Sequence, residues 1–245
     1  CCLQACAVKE FANDRKVDPV AGARTRVAMA AEYIQTNRPE LALQRLQQAL
    51  ELDPKSLEAH NVMGVLLEKD DDFIKAEQNY RKALSLKSEY PQARNNYGVL
   101  LYRLKRYKEA MEQFSIAAAD LSYERRETAL EYVGKIALML GDKEKAKVTF
   151  ERALKLNSRL PEPALELANF AYDEQNHPEA NRFYQRYLRA IDKDAQSARG
   201  LWLGIRLARI NHDSNALASY ELALKRLYAN SEEYQAYLKS QNSGS

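Results

Sequence analysis

Alanine recurs at Ala42, Ala76, Ala110, Ala146, Ala180 and Ala216, at intervals of 34, 34, 36, 34 and 36 residues. A period of this length restricts the chain to one small structural unit copied six times, because a single unit cannot bury its own apolar face and must stack on its neighbours. Three companion columns keep the same register. A small residue stands twelve positions before each alanine, at Ala30, Gly64, Gly98, Gly134, Ala168 and Gly204. A large apolar residue stands four positions after it, at Leu46, Tyr80, Phe114, Phe150, Tyr184 and Tyr220. Three positions further come Ala49, Ala83, Ala117, Ala153, Tyr187 and Ala223. Spacings of three and four hold these residues on one helix face. Small side chains facing each other let two antiparallel helices approach closely, and the large residue one turn on fills the wedge against the next pair.

Only 8 Gly and 7 Pro occur in 245 residues, and Ala, Leu, Glu, Lys, Arg and Gln dominate, so the composition is that of an all-α chain. A small residue in a first helix, followed by A-x3-aromatic-x2-A in a second, is the signature of the tetratricopeptide repeat. The chain is therefore expected to form a right-handed tetratricopeptide-repeat solenoid of six helical hairpins plus a C-terminal capping helix. Pro54, Pro91 and Pro161 fall between hairpins, and Pro39 and Pro178 open second helices, positions where a missing N–H is tolerated. The expected hairpins are 23–56, 57–90, 91–124, 127–160, 161–194 and 197–230. Ser231, with Glu232 and Glu233 behind it, predicts a capped helix over 231–240 whose Tyr234, Tyr237 and Leu238 cover the last hairpin. Residues 1–22 read as an N-terminal segment and tether, and 241–245 as a disordered tail.

Several function classes are excluded. Lys and Arg total 37 against 34 Asp and Glu, with both signs interspersed, so no cationic stripe for nucleic acid is expected. His60, His177 and His212 lie in different hairpins with no second ligand at metal spacing. Asp70, Asp71 and Asp72 lack the alternation and central Gly of a calcium loop and read as a turn. No Gly-rich phosphate loop and no clustered nucleophile is present. The chain is read as non-enzymatic, with no cofactor, no metal and no small-molecule substrate. Residues 199–209 are cationic and amphipathic, but Gly204 and Leu207 sit in repeat register, so the segment is read as a first helix and not as a membrane-surface helix.

What remains is protein binding. In this architecture first helices line the concave face. The inward positions of the first three hairpins offer Val27, Ala31, Ile34, Val65, Val99 and Tyr102, with Asn61, Asn95, Asn96 and Arg103 among them. Such a strip suits an amphipathic or extended segment of a partner. The same register would also serve packing between neighbouring helices. A carboxylate clamp is not expected, because Val27 and Ala31 occupy the positions where it would need basic and amide groups.

Beyond the generic repeat, the chain resembles the PilF/PilW family of type IV pilus biogenesis and stability lipoproteins over residues 23 to about 240. The resemblance is carried by Asn95-Asn96-Tyr97-Gly98, Leu101-Tyr102 and Arg106-Tyr107-Lys108-Glu109-Ala110, then by Leu165-Glu166-Leu167-Ala168. Its most specific parts are Leu203-Gly204-Ile205-Arg206-Leu207-Ala208 and Leu224-Lys225-Arg226-Leu227-Tyr228 with Glu233-Tyr234-Gln235. The resemblance implies a pilotin: a non-enzymatic scaffold that binds subunits of the type IV pilus secretin and promotes their outer-membrane localisation and assembly into multimers. It also implies lipidation at the first Cys of the mature chain. Leu3-Gln4-Ala5-Cys6 resembles a lipoprotein processing site, making Cys6 the expected lipid anchor on the periplasmic face of the outer membrane and Cys1 and Cys2 remnants of a signal. A general envelope adaptor for another secretion or cell-wall assembly is the alternative.

Overall fold

The computed structural model describes residues 18–192 and 196–242, and these form thirteen helices with no strand among the described residues. In order they are α1 (Pro19–Gln35), α2 (Pro39–Leu52), α3 (Leu57–Lys69), α4 (Phe73–Leu86), α5 (Pro91–Arg103), α6 (Tyr107–Ala119) and α7 (Arg126–Met139). They continue with α8 (Lys143–Leu156), α9 (Pro161–Asp173), α10 (His177–Ala190), α11 (Ala198–Ile210), α12 (Ser214–Leu227) and α13 (Glu232–Asn242). The chain divides into two compact units, one ending at Asn96 and one starting at Tyr97, so the division falls inside α5. The fold is a tetratricopeptide-repeat helical solenoid built from six hairpins.

In the first unit α1 packs on α2, α3 on α4, and α3 also on α1 and α2. Ala30, Ala42, Leu46, Ala49 and Ala59 are fully buried in one cluster with Val27, Ile34, Met63 and Leu66 around them. Gly64 faces Tyr80 so closely that a Cβ at Gly64 would lie 2.6 Å from the ring. The Tyr80 ring is itself fully buried, and its hydroxyl donates to Glu68 Oε2 at 3.0 Å, which satisfies both polar groups out of water.

In the second unit α7 packs on α8, α9 on α10 and α11 on α12, with α8 against α9 and α10 against α11 between hairpins. Phe150, Ala146, Ala164, Leu165, Leu167 and Ala168 form the centre of its larger cluster. A second cluster joins Leu201, Ile205 and Leu224 to Tyr237, with Tyr234 and Leu238 against it. Helix α13 thus lays its tyrosine face on α11, and Ser231 Oγ caps it by accepting from the Tyr234 amide at 3.1 Å. The segment 199–209 is embedded accordingly: Leu201, Leu203, Ile205 and Leu207 are all buried, and no helix of the described residues is long and apolar enough to cross a membrane.

Every hairpin turns by the same device. The first helix ends with one residue of positive φ: Asn37 (56°), Asp71 (58°), Lys105 (60°), Gly141 (82°), Gln175 (61°) and His212 (54°). The next amide reaches back five residues, as in Arg38 N to Tyr33 O (2.8 Å), Asp72 N to Leu67 O (2.9 Å) and Asn176 N to Ala171 O (2.8 Å). This closes the helix in a Schellman turn and satisfies its orphan carbonyls. Asp72, Asp142, Asn176 and Asp213 then cap the second helix, each side chain accepting an amide three residues on. The acidic run is thereby accounted for: Asp71 makes the left-handed bend and Asp72 the cap.

Two boundaries differ from the sequence expectation. Helix α1 begins at Pro19 and not at 23, because Asp18 accepts from the Val20 amide at 3.0 Å and Pro19 occupies the first helical position. Asp-Pro is here a helix start and not a break in a tether. The capping helix likewise extends to Asn242, two residues into the expected tail. Cys6, the rest of the tether up to residue 17, and residues 243–245 lie outside the described residues.

Candidate partner-binding face

The residues expected on the first-helix face fall into three groups. Val27 (7% exposed) and Ile34 (8%) belong to the core cluster of the first unit. They lie three before and four after Ala30, so they share the buried face of α1 and offer no surface. Asn61 and Asn95, each 6% exposed, are buried as well. The Asn61 Oδ1 accepts from Asn96 Nδ2 at 3.0 Å, and its side chain also hydrogen-bonds Tyr90. Burial pushes the Tyr90 phenol up to about 12, with the Glu58 carboxylate adding to the shift, so this tyrosine stays neutral at all ordinary pH. These four positions are therefore corrected from groove lining to packing. Ala31, Val65 and Asn96 are half-buried in the first unit, and Val99 and Tyr102 in the second, while Arg103 is exposed.

Tyr102 is the anchor of a surface the sequence reading only touched. Its ring lies edge-on to Tyr107 (5.5 Å between centroids) and to Tyr132 (5.4 Å), and its hydroxyl meets Met139 Sδ at 3.7 Å. Tyr132 in turn stacks on the buried Phe114 at 4.5 Å and 4°. Lys135, paired with Glu131 at 2.6 Å, stands 5.6 Å over the Tyr132 ring. Met139 is 51% exposed. Aromatic rings fixed by one another, with a polarisable thioether at the edge, make a preorganised apolar surface carrying hydroxyl and ammonium groups for orientation.

Further along the same unit the first helices carry charge. Arg199 Nη2 meets Glu166 Oε1 at 2.7 Å, and Arg199 Nη1 is 3.5 Å from Glu162. Glu166 is only 6% exposed. Arg206 donates to Asn169 Oδ1 at 3.0 Å and lies over Tyr172 at 4.3 Å and Trp202 at 5.5 Å. Its Nε is buried without a hydrogen-bond partner, and burial lowers its pKa from the usual arginine value. Neither side chain was singled out from the sequence as a site residue, although a signal existed. Arg206 stands in the column of Glu32, Leu66, Leu100, Ile136 and Phe170, and a cation in a mostly apolar column asks for a partner.

Burial raises the Glu166 pKa above 4.5, and the Arg199 charge only partly offsets this. A raised folded-state value means that the native chain holds this proton more tightly than the unfolded chain does. The associated stability is complete below 4.5 and is lost as pH rises through the raised value. Wild-type stability relative to Glu166→Gln should therefore fall as pH rises above 4.5, as read from urea midpoints at a series of pH values. Parallel pH profiles for the two proteins would contradict it.

Among the described residues no group of three or more His, Cys, Asp and Glu side chains could hold a metal. Comparison with known proteins agrees with the architecture. Residues 27–84 and 63–124 match one tetratricopeptide-repeat family and residues 133–159 another. The type IV pilus assembly protein PilF of Pseudomonas aeruginosa is 37% identical over 211 residues, covering 86% of this chain and 82% of that protein. A solved structure from the functional characterisation of that PilF superposes with a TM-score of 0.85 at 36% identity, covering 91% of this chain and 99% of the other. The crystal structure of PilW, a widely conserved type IV pilus biogenesis factor, superposes with a TM-score of 0.69 at 27% identity, covering 88% and 98%. With more than four-fifths of each sequence aligned, with the fold shared throughout that length, and with the repeat in register, this chain belongs to the PilF/PilW family of tetratricopeptide-repeat type IV pilus biogenesis factors.

Proposed function

We propose that this protein is a pilotin: it binds subunits of the type IV pilus secretin, brings them to the outer membrane and promotes their multimerisation. The observation that carries the reading is kinship with a type IV pilus assembly protein along nearly the whole chain. The surface around Tyr102, built from α5, α7 and the start of α6, would supply the means. Tyr102, Tyr107, Tyr132 and Met139 would take the apolar side of a secretin segment, and Lys135 and Glu131 would set its register. The lipid anchor expected at Cys6 would provide location; two or more acyl chains at about 0.8 kcal/mol per buried CH2 hold a protein stably on a bilayer.

Deleting the gene should abolish secretin multimers and surface pili. Complementation with Tyr102→Ala plus Met139→Ala should leave secretin capture about tenfold or more weaker, since aromatic anchors at interface centres cost ~2 kcal/mol or more on truncation. Unchanged multimers in the deletion strain would overturn the pilotin reading and favour an adaptor for another envelope assembly. Wild-type capture by the double variant, with helicity intact, would move the contact to another face. Cys6→Ser should release the protein from the membrane fraction.

A further inference from the structure

The interspersed charge of the sequence conceals one local exception. Arg182, Arg186 and Arg189 follow at spacings of four and three along α10, and Arg159 from the α8–α9 turn joins them around an open cavity of about 710 Å³. Phe183 and Ile191 contribute apolar walls, and Asp192 is the one acid among the described residues of the lining.

Arg186 is held in place. Its Nε donates to Ser158 O at 3.0 Å and its Nη2 to Leu154 O at 2.8 Å, which fastens the guanidinium to the carbonyl end of α8. Its pKa is lowered by burial and then by the like charges of Arg182 and Arg189. Arg182 pairs with Glu179 and lies 4.8 Å over the Phe183 ring. Arg159 and Arg189 have no ion-pair partner among the described residues.

We propose that this second-helix face of the fifth hairpin docks an acidic peptide segment of a partner protein, its carboxylates pairing with Arg159, Arg182, Arg186 and Arg189. Length favours a peptide. The three arginines of α10 span about 10 Å at 1.5 Å rise per residue, longer than one phosphate can bridge. An extended segment at ~3.3–3.6 Å per residue brings a carboxylate into step with them about every second residue on one side. Guanidinium pairs with carboxylate bidentately, and Phe183 and Ile191 would receive an apolar side chain between the acids. A nucleic acid would need cations well beyond these four to hold at physiological salt. The site is independent of the secretin reading and of the Tyr102 surface.

The test uses the whole chain and a fluorescent peptide of alternating Glu and Leu or Ser, against the same peptide with Gln for Glu, by anisotropy. The Glu peptide should bind, and binding should weaken as salt is raised. The Gln peptide should not bind. Arg159→Glu with Arg189→Glu, both exposed side chains whose change leaves the α8 contact of Arg186 intact, should weaken the Glu peptide at least tenfold with unchanged helicity. Inorganic phosphate should compete no better than chloride at equal ionic strength, and phosphatidylglycerol vesicles should show no dependence on the two arginines. Equal binding of both peptides, or wild-type affinity in the double variant, would overturn the proposal. Phosphate competition or arginine-dependent vesicle binding in place of peptide binding would overturn it in favour of a phosphate site.

Discussion

Phe150→Ala is expected to lower the stability of the second unit by about 3–5 kcal/mol, the usual cost of removing a buried aromatic ring. The ring is fully buried, in a cluster with Ala137, Ala146, Leu154, Ala164 and Leu165. Those neighbours sit on three successive helices, α7, α8 and α9, so the space left behind cannot be closed by shifting one of them. The void keeps its volume, and the loss stands near the upper end of the range. In thermal unfolding followed by circular dichroism the transition should fall on the order of 10 °C. A loss below ~1 kcal/mol would mean that the wedge between hairpins is more compliant than the packing of this ring implies.

Gly134→Ala tests the same contact from the other side. A Cβ at Gly134 would lie 2.4 Å from Phe150 Cε1, 2.7 Å from Cδ1 and 2.8 Å from Cζ. The ring has nowhere to retreat, so overpacking of about 1–3 kcal/mol opposes the ~1 kcal/mol that alanine contributes over glycine inside a helix. The first hairpin shows how the conflict is relieved: it places Ala30 and Leu46, both fully buried, at the two equivalent positions. Phe150→Leu should therefore be less damaging on the Gly134→Ala background than alone, with a coupling of about 1–2 kcal/mol in a double-mutant cycle. Additive losses in urea denaturation would show that the two columns are packed independently.

The repeat was fully legible because it is written in volumes. Small residues at one column and large ones at another leave a trace in any single sequence, and the hairpins followed from them. Apart from the acidic run at 70–72 the turns were not legible, because Gly141 alone is a glycine at the left-handed position. Asn37, Asp71, Lys105, Gln175 and His212 adopt the same conformation under tertiary constraint. Four of the ten positions expected on the partner face were misplaced, two of them for a related reason. A helix side is about 100° wide, and Val27 and Ile34 share it with Ala30, while Ala31 one step on does not. Their spacing of three and four from the small residue was the available signal. Glu166 and Arg199 lie 33 residues apart, three fewer than the 36-residue interval between their hairpins, so their pairing emerges only when adjacent first helices are side by side.

The uniform hairpin apex has an evolutionary consequence. Each Schellman turn is closed by main-chain atoms, and the five non-glycine residues at its bend are all exposed. An amide, an acid, a lysine and a histidine are all accepted there, because an L-residue in this conformation costs only about 1–2 kcal/mol and its side chain is exposed. Along the sequence the apices recur at intervals of 34 to 37 residues. Surface charge can drift or be selected at these bends while the columns of small and large residues stay unchanged, which decouples the history of the protein's solubility and long-range electrostatics from the history of its fold.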